Sequence, residues 1–236
     1  MIDDGDNIME MGLILEAETD KNNTKRIKKE IFEKNLDKIC EIYCNDKKEG
    51  TGFICMIPDP ENNNHNIIVL LTCYHVANID KIKILHYKFK NHSKKEISFE
   101  DQNRRKWYNK ELDYACIEML EKDNIINCLN IDENLYENNY TKINLYNKIV
   151  LVFTIFQSEE MSFGFIKKIS NSKLLYSNDT INGYSGSPVI RKDNNEVIAI
   201  HQGGDPTKKI NIGILLKYIL MDMNKKKINY DEKWDE

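Results

Sequence analysis

The amino-acid sequence predicts an all-β fold, and three observations carry that prediction. From about Thr51 onward, short apolar runs alternate with polar loops; many of the runs are rich in Ile, Val, Tyr and Phe, which suit a pleated, half-buried surface. Turn-forming clusters separate neighbouring runs, as at Asp59-Pro60-Glu61-Asn62-Asn63-Asn64 and Asp193-Asn194-Asn195. Helical spacing is confined to the two ends of the chain. A long series of short strands of this kind suits barrels or a sandwich rather than alternating βαβ units.

Element by element, Ile27, Ile31, Leu36 and Ile39 recur near helical spacing behind Thr24, which predicts an amphipathic helix over 24–39. Strands are expected at 51–57, 67–72, 81–89, 112–120, 149–156, 161–169, 187–191, 196–201 and 210–213. Residues 215–223 return to a helical pattern and close the fold. These readings divide the chain into an acidic tail and helix (1–47), a β domain (48–222) and a charged tail (223–236). The β domain splits further near residues 135–140.

Composition narrows the function. The chain has 236 residues, of which 41% are hydrophobic and 31% charged, so there is enough apolar side chain for a sizeable core. A net charge of −4 provides no basic field for phosphate, which argues against a nucleic-acid partner. The lysines are interspersed with acids, as in a solvated face. The first residues carry acids where an export signal carries positive charge, and no apolar stretch reaches bilayer length, so a soluble, cytoplasmic protein without membrane association is expected. Six cysteines are then expected to stay reduced. Most lie inside apolar runs, such as Cys55 and Cys116, and read as core. Cys40 and Cys44 have helical ligand spacing but lack a second Cys/His pair, so neither metal nor cofactor is expected.

The strongest chemical feature is Gly183-Tyr184-Ser185-Gly186-Ser187-Pro188-Val189. Acyl transfer needs an exposed hydroxyl and main-chain N–H donors aimed where the carbonyl oxygen becomes negative; flanking glycines allow the backbone to make such a loop. The donors would be Gly183 and Ser185. An α/β-hydrolase elbow would lead into a helix, whereas Pro188-Val189-Ile190 leads into a strand. A serine nucleophile needs a base, and His75 follows directly on the apolar run Leu70-Leu71-Thr72. Asp113 stands at the head of another strand, where it could fix the tautomer of the imidazole.

The order His75, Asp113, Ser185, with steps of 38 and 72 positions, joins four further motifs: Gly50-Thr51-Gly52-Phe53, Thr72 to Val76, Leu112 to Ala115, and Ile200 to Gly204. Together they resemble the trypsin-like serine peptidases over residues 48–222, closest to the disulfide-free branch that includes glutamyl endopeptidases and HtrA-type catalytic domains. The resemblance implies two six-stranded antiparallel β-barrels with a catalytic cleft between them, a His75-Asp113-Ser185 triad, an oxyanion hole at Gly183 and Ser185, a polypeptide substrate and no cofactor. Tyr184 stands where digestive trypsins carry an activating aspartate, so that route of activation is not expected. The resemblance also places Asp179, Thr180 and His201 at the P1 pocket. Asp179 taken alone suggests a basic P1 residue, while Thr180 with His201 matches the glutamyl endopeptidases and an acidic one; the two-residue match is favoured. A protease fold used only as a binding module is the competing class.

Overall fold

The structure is a computed structural model that describes residues 30–62, 64–136, 145, 148–155, 160–205, 207 and 210–224. Residues 1–29 of the predicted acidic tail and helix, and all of the predicted charged tail beyond residue 224, lie outside these. The chain divides into two compact units, Met1–Leu36 and Asp37–Glu236. In the first, residues 30–36 form helix α1. It ends before Ile39, the last apolar position counted into the predicted helix.

The second unit holds all the β structure. Ile39 begins strand β1 (Ile39–Cys44), so the sheet starts on the N-terminal side of the boundary read at residue 48. The sequence hides this strand because five of its six residues are buried, which removes the alternation that marks a half-buried strand. There follow β2 (Lys47–Pro58), β3 (Asn66–Thr72), the one-turn helix α2 (Tyr74–Ala77), β4 (Ile84–Phe89), β5 (Lys95–Ser98), β6 (Lys106–Asn109), β7 (Tyr114–Glu118) and β8 (Leu129–Asn130). After these come β9 (Ile149–Thr154), β10 (Glu160–Ser170), β11 (Lys173–Tyr176), β12 (Pro188–Arg191), β13 (Val197–Asp205), β14 (Ile210–Leu215) and helix α3 (Leu216–Met223). Every strand expected from the sequence has a counterpart. The strands it missed, besides β1, are the short β5, β6, β8 and β11.

The later strands close into a six-stranded barrel in the order β10-β11-β14-β13-β12-β9. The earlier ones form an open, eight-stranded half-barrel in the order β5-β4-β1-β2-β3-β7-β6, with β8 alongside β2. The expected closure into six strands is not made here: β5 and β6 share no ladder, and the Lys106 ammonium on β6 reaches the Phe99 carbonyl just beyond β5 instead. Each of these edge strands is four residues long; β5 buries only Ile97 and β6 buries no side chain, so β6 offers no apolar face for closure to cover.

Phe53, Ile54, Leu70 and Leu71 fill the first sheet's core; Leu151, Val152, Phe153, Ile198 and Ile200 fill the barrel's. Each such side chain contributes roughly 1.5–3 kcal/mol. Two devices join the halves. Beyond β8, Asp132 donates its N–H to Val197 of β13 at 3.1 Å and accepts Arg191 Nη1 at 2.6 Å. At the other end α3 returns to the first sheet, where Asp222 accepts Tyr114 Oη at 2.9 Å and Asn109 Nδ2 at 3.1 Å.

Candidate active site

His75 sits on α2 because β3 runs out at Thr72 and a single helical turn follows, ended by Asn78 in the left-handed region (φ 50°). Asp113 occupies the turn between β6 and β7, also left-handed (φ 60°), a conformation that Asp tolerates better than most residues. Its carboxylate receives the main-chain N–H of His75 at 3.0 Å and contacts His75 Nδ1 at 3.0 and 2.9 Å through its two oxygens. Gln202 Nε2 donates to the same carboxylate at 2.9 Å. Burial alone would raise the Asp113 pKa, but the hydrogen bonds from His75 and Gln202 and the attraction of His75 outweigh it and hold the carboxyl below its usual range. With Nδ1 engaged, Nε2 is the ring nitrogen left for chemistry, and the side chain is about half exposed.

Ser185 lies in the loop between β11 and β12, whose shape depends on Gly183 (φ 100°) and Gly186 (φ 88°). A Cβ on Gly186 would stand 1.9 Å from the Thr51 carbonyl oxygen and 2.3 Å from Thr72 Oγ1. The loop is clamped from both sides. Gly186 N–H donates to the His201 carbonyl at 2.8 Å, and Ser187 N–H to Tyr184 O at 2.9 Å. On β2, Thr51 gives its N–H to Ser185 O at 2.9 Å and its hydroxyl to Gly183 O at 2.7 Å, and accepts Thr72 Oγ1 at 2.7 Å. Gly50 has no room for a side chain either: a Cβ would meet Ser185 O and Val76 Cγ2, both at 2.8 Å. The Gly50-Thr51-Gly52-Phe53 motif is therefore the strut that sets the serine loop against the histidine segment.

Among the described residues the N–H groups of Gly183 and Ser185 donate to no protein acceptor. The Ser185 hydroxyl donates to the Gln202 carbonyl at 3.1 Å, and no hydrogen bond joins it to His75.

A cavity of about 860 Å³ opens beside the serine. Asp179, Thr180 and His201 all line it, together with Gly183, Ser185 and Asn211. Asp179 is exposed. The Thr180 hydroxyl donates to Asn211 Oδ1 at 2.6 Å. His201 is 2% exposed and its Nδ1 is hydrogen-bonded to the buried Tyr176 hydroxyl. Burial, with His75 nearby, lowers the His201 pKa to about 3, so its imidazole is neutral at ordinary pH.

Cys73, His75 and Asp113 bring one donor atom each within 4.8 Å of one another. Cys73 suits a metal poorly, because burial and the Asp113 charge push its thiol well above the ordinary value and a ligand must be the thiolate. Its Sγ instead donates to the His201 carbonyl at 3.3 Å. Cys40 and Cys44 lie on β1 rather than on a helix, and all six cysteines are free thiols.

Sequence reasoning missed Thr51 as the clamp, Tyr176 as the partner of His201, and Gln202 as the residue that touches both Asp113 and Ser185. Gln202 is the unspecified position of the Ile200-His201-Gln202-Gly203-Gly204 run, and nothing in its local sequence marks it.

No protein-family model matches the chain, and no curated protein does. Solved structures do match its fold. A serine endoprotease from Yersinia pestis superposes with a TM-score of 0.59 at 15% identity, over 84% of this chain and 65% of that one. The chain thus spans just under two thirds of that protein's length. The Rv3671c protease in its inactive form gives a TM-score of 0.60 at 12% identity, over 86% of this chain and 95% of the other. An inactive serine-to-alanine variant of Rv3671c from M. tuberculosis H37Rv gives 0.58 at 12%, over 83% and 89%. The chain has the chymotrypsin-like fold of these serine proteases.

Proposed function

From a fold shared with serine proteases, we propose that the chain is a serine endopeptidase that hydrolyses polypeptides through an acyl-enzyme. Ser185 is the nucleophile, His75 Nε2 takes its proton and returns it to the leaving amine, and Asp113 holds His75 in the required tautomer and offsets its charge. The N–H groups of Gly183 and Ser185 receive the oxyanion. The observation that carries this reading is the Asp113 carboxylate bound to both the ring and the main chain of His75, opposite a serine loop whose two N–H groups have no protein acceptor. In the resting state the serine hydroxyl rests on Gln202 O and must rotate toward His75 for attack. Apo serine–histidine contacts are often long, and substrate binding tightens them.

That same hydroxyl contact favours a second reading, an idle protease fold that only binds peptides. A phosphonofluoridate probe separates the two. Labelling of the folded chain that disappears in Ser185→Ala supports the peptidase; no labelling supports the binding module.

Asp179, Thr180 and His201 form the P1 pocket in this proposal, with an acidic P1 side chain preferred over a basic one. Fluorogenic substrates differing only in Glu or Arg at P1 test it: Glu preference lost in His201→Ala agrees, and Arg preference lost in Asp179→Ala overturns it. A reducing compartment such as the cytoplasm fits the six free thiols.

A further inference from the structure

Gln202 is the residue on which the pieces of the candidate centre meet. Its main-chain oxygen accepts the Ser185 hydroxyl at 3.1 Å, and its side-chain Nε2 donates to Asp113 Oδ2 at 2.9 Å. At the other end of the same carboxamide, Oε1 accepts Lys173 Nζ at 2.6 Å. A carboxamide has one donor end and one acceptor end. Reversing it would set its oxygen against a carboxylate and its NH₂ against an ammonium, so the neighbours permit only one orientation. Lys173 opens β11, pairs there with Ile214 of the closed barrel, and has no described carboxylate partner. Its charge is directed at the amide.

We propose that Lys173 and Gln202 are a positioning relay, in which the lysine cation locks the glutamine amide so that its N–H holds Asp113 aligned on His75. The proposal rests on the peptidase reading above. A cation on the acceptor end of an amide strengthens the donor end, and hydrogen bonds linked in a chain reinforce one another. Asp113 thereby accepts from three groups at once: the His75 ring, the His75 main chain and Gln202. Without Lys173 the amide loses the anchor on its oxygen and is free to swing away from Asp113, leaving the carboxylate held by His75 alone. The relay acts through Asp113 and touches no substrate atom in this scheme, so it should govern turnover rather than binding.

The test is a set of three variants of the full chain: Lys173→Met, which removes the charge at a partly exposed site; Lys173→Arg, which keeps it; and Gln202→Glu, which replaces the donor by an oxygen at nearly constant shape. Lys173→Met is expected to lower kcat about tenfold with KM within about twofold, Lys173→Arg to stay within about twofold of the parent, and Gln202→Glu to lose more than Lys173→Met. A rise in KM at constant kcat would make Lys173 a substrate contact and overturn the proposal, as would unchanged kcat in both charge-altering variants. If no variant can be assayed because the chain fails the Ser185 labelling test, the peptidase reading has failed and the relay is still testable. The low-field proton resonance of His75 Nδ1–H on Asp113 should broaden or move upfield in Lys173→Met and return in Lys173→Arg. An unmoved resonance would overturn the relay independently of activity.

Discussion

The main-chain N–H of Thr51 donates to the carbonyl oxygen of Ser185 at 2.9 Å, so a strand of the open half-barrel holds the serine loop of the closed one. The Thr51 hydroxyl adds a bond to Gly183 O at 2.7 Å and shares a 2.9 Å contact with Thr154 Oγ1. Thr51→Val keeps the shape and the N–H but removes the hydroxyl. It should cost about 1–2 kcal/mol in urea unfolding and lower kcat about tenfold by loosening Gly183. Stability loss with unchanged kcat would mean that the hydroxyl does not position the oxyanion donor.

Gly186 has no tolerance for a side chain. Gly186→Ala places a methyl group 1.9 Å from a main-chain oxygen of β2 at a φ of 88°, where an L-residue is already strained. The expected loss is at least about 3 kcal/mol, seen as a much lower thermal midpoint or as insoluble expression. A variant that melts within a few degrees of the parent would show that the loop can shift.

Asp113→Asn retains a residue that accepts left-handed backbone but converts one carboxylate oxygen into a donor. The His75 main-chain and ring N–H groups then compete for a single acceptor, which favours the wrong tautomer. A fall in kcat of about 10⁴ is expected with the fold intact by circular dichroism. Retention of more than about a tenth of the activity would move the third role to another acid.

His201 links stability to acidity. Its folded pKa of about 3 lies below the ordinary histidine value near 6.5, so between these limits the unfolded chain binds a proton that the folded chain does not. Stability should therefore be full above about pH 6.5 and fall as the pH drops through 3, by a total on the order of 5 kcal/mol. Urea unfolding at pH 7, 5 and 4 measures the slope. His201→Gln should flatten it, and an equally steep slope in that variant would assign the loss to other groups.

The sequence by itself determined most of the longer strands and located the glycine-bounded serine loop. Runs such as Ile67 to Thr72 and Ile149 to Thr154 declare themselves because strand identity is a local matter of residue type and flanking turns. The candidates His75, Asp113 and Ser185 stand out in the sequence because each lies at or near the end of such a run, and the glycines beside Ser185 betray a backbone that other residues reach only with strain. Only the tertiary structure decided that β1 is a strand rather than the end of a helix, since burial on both faces erases its alternation. It also decided that the first sheet stays open, because closure would need a ladder between β5 and β6, and β6 buries no side chain. The same holds for Thr51, Gln202 and Lys173. Their roles consist of hydrogen bonds spanning as many as 134 positions, as from Thr51 to Ser185, and no local pattern encodes a partner that folding alone brings near.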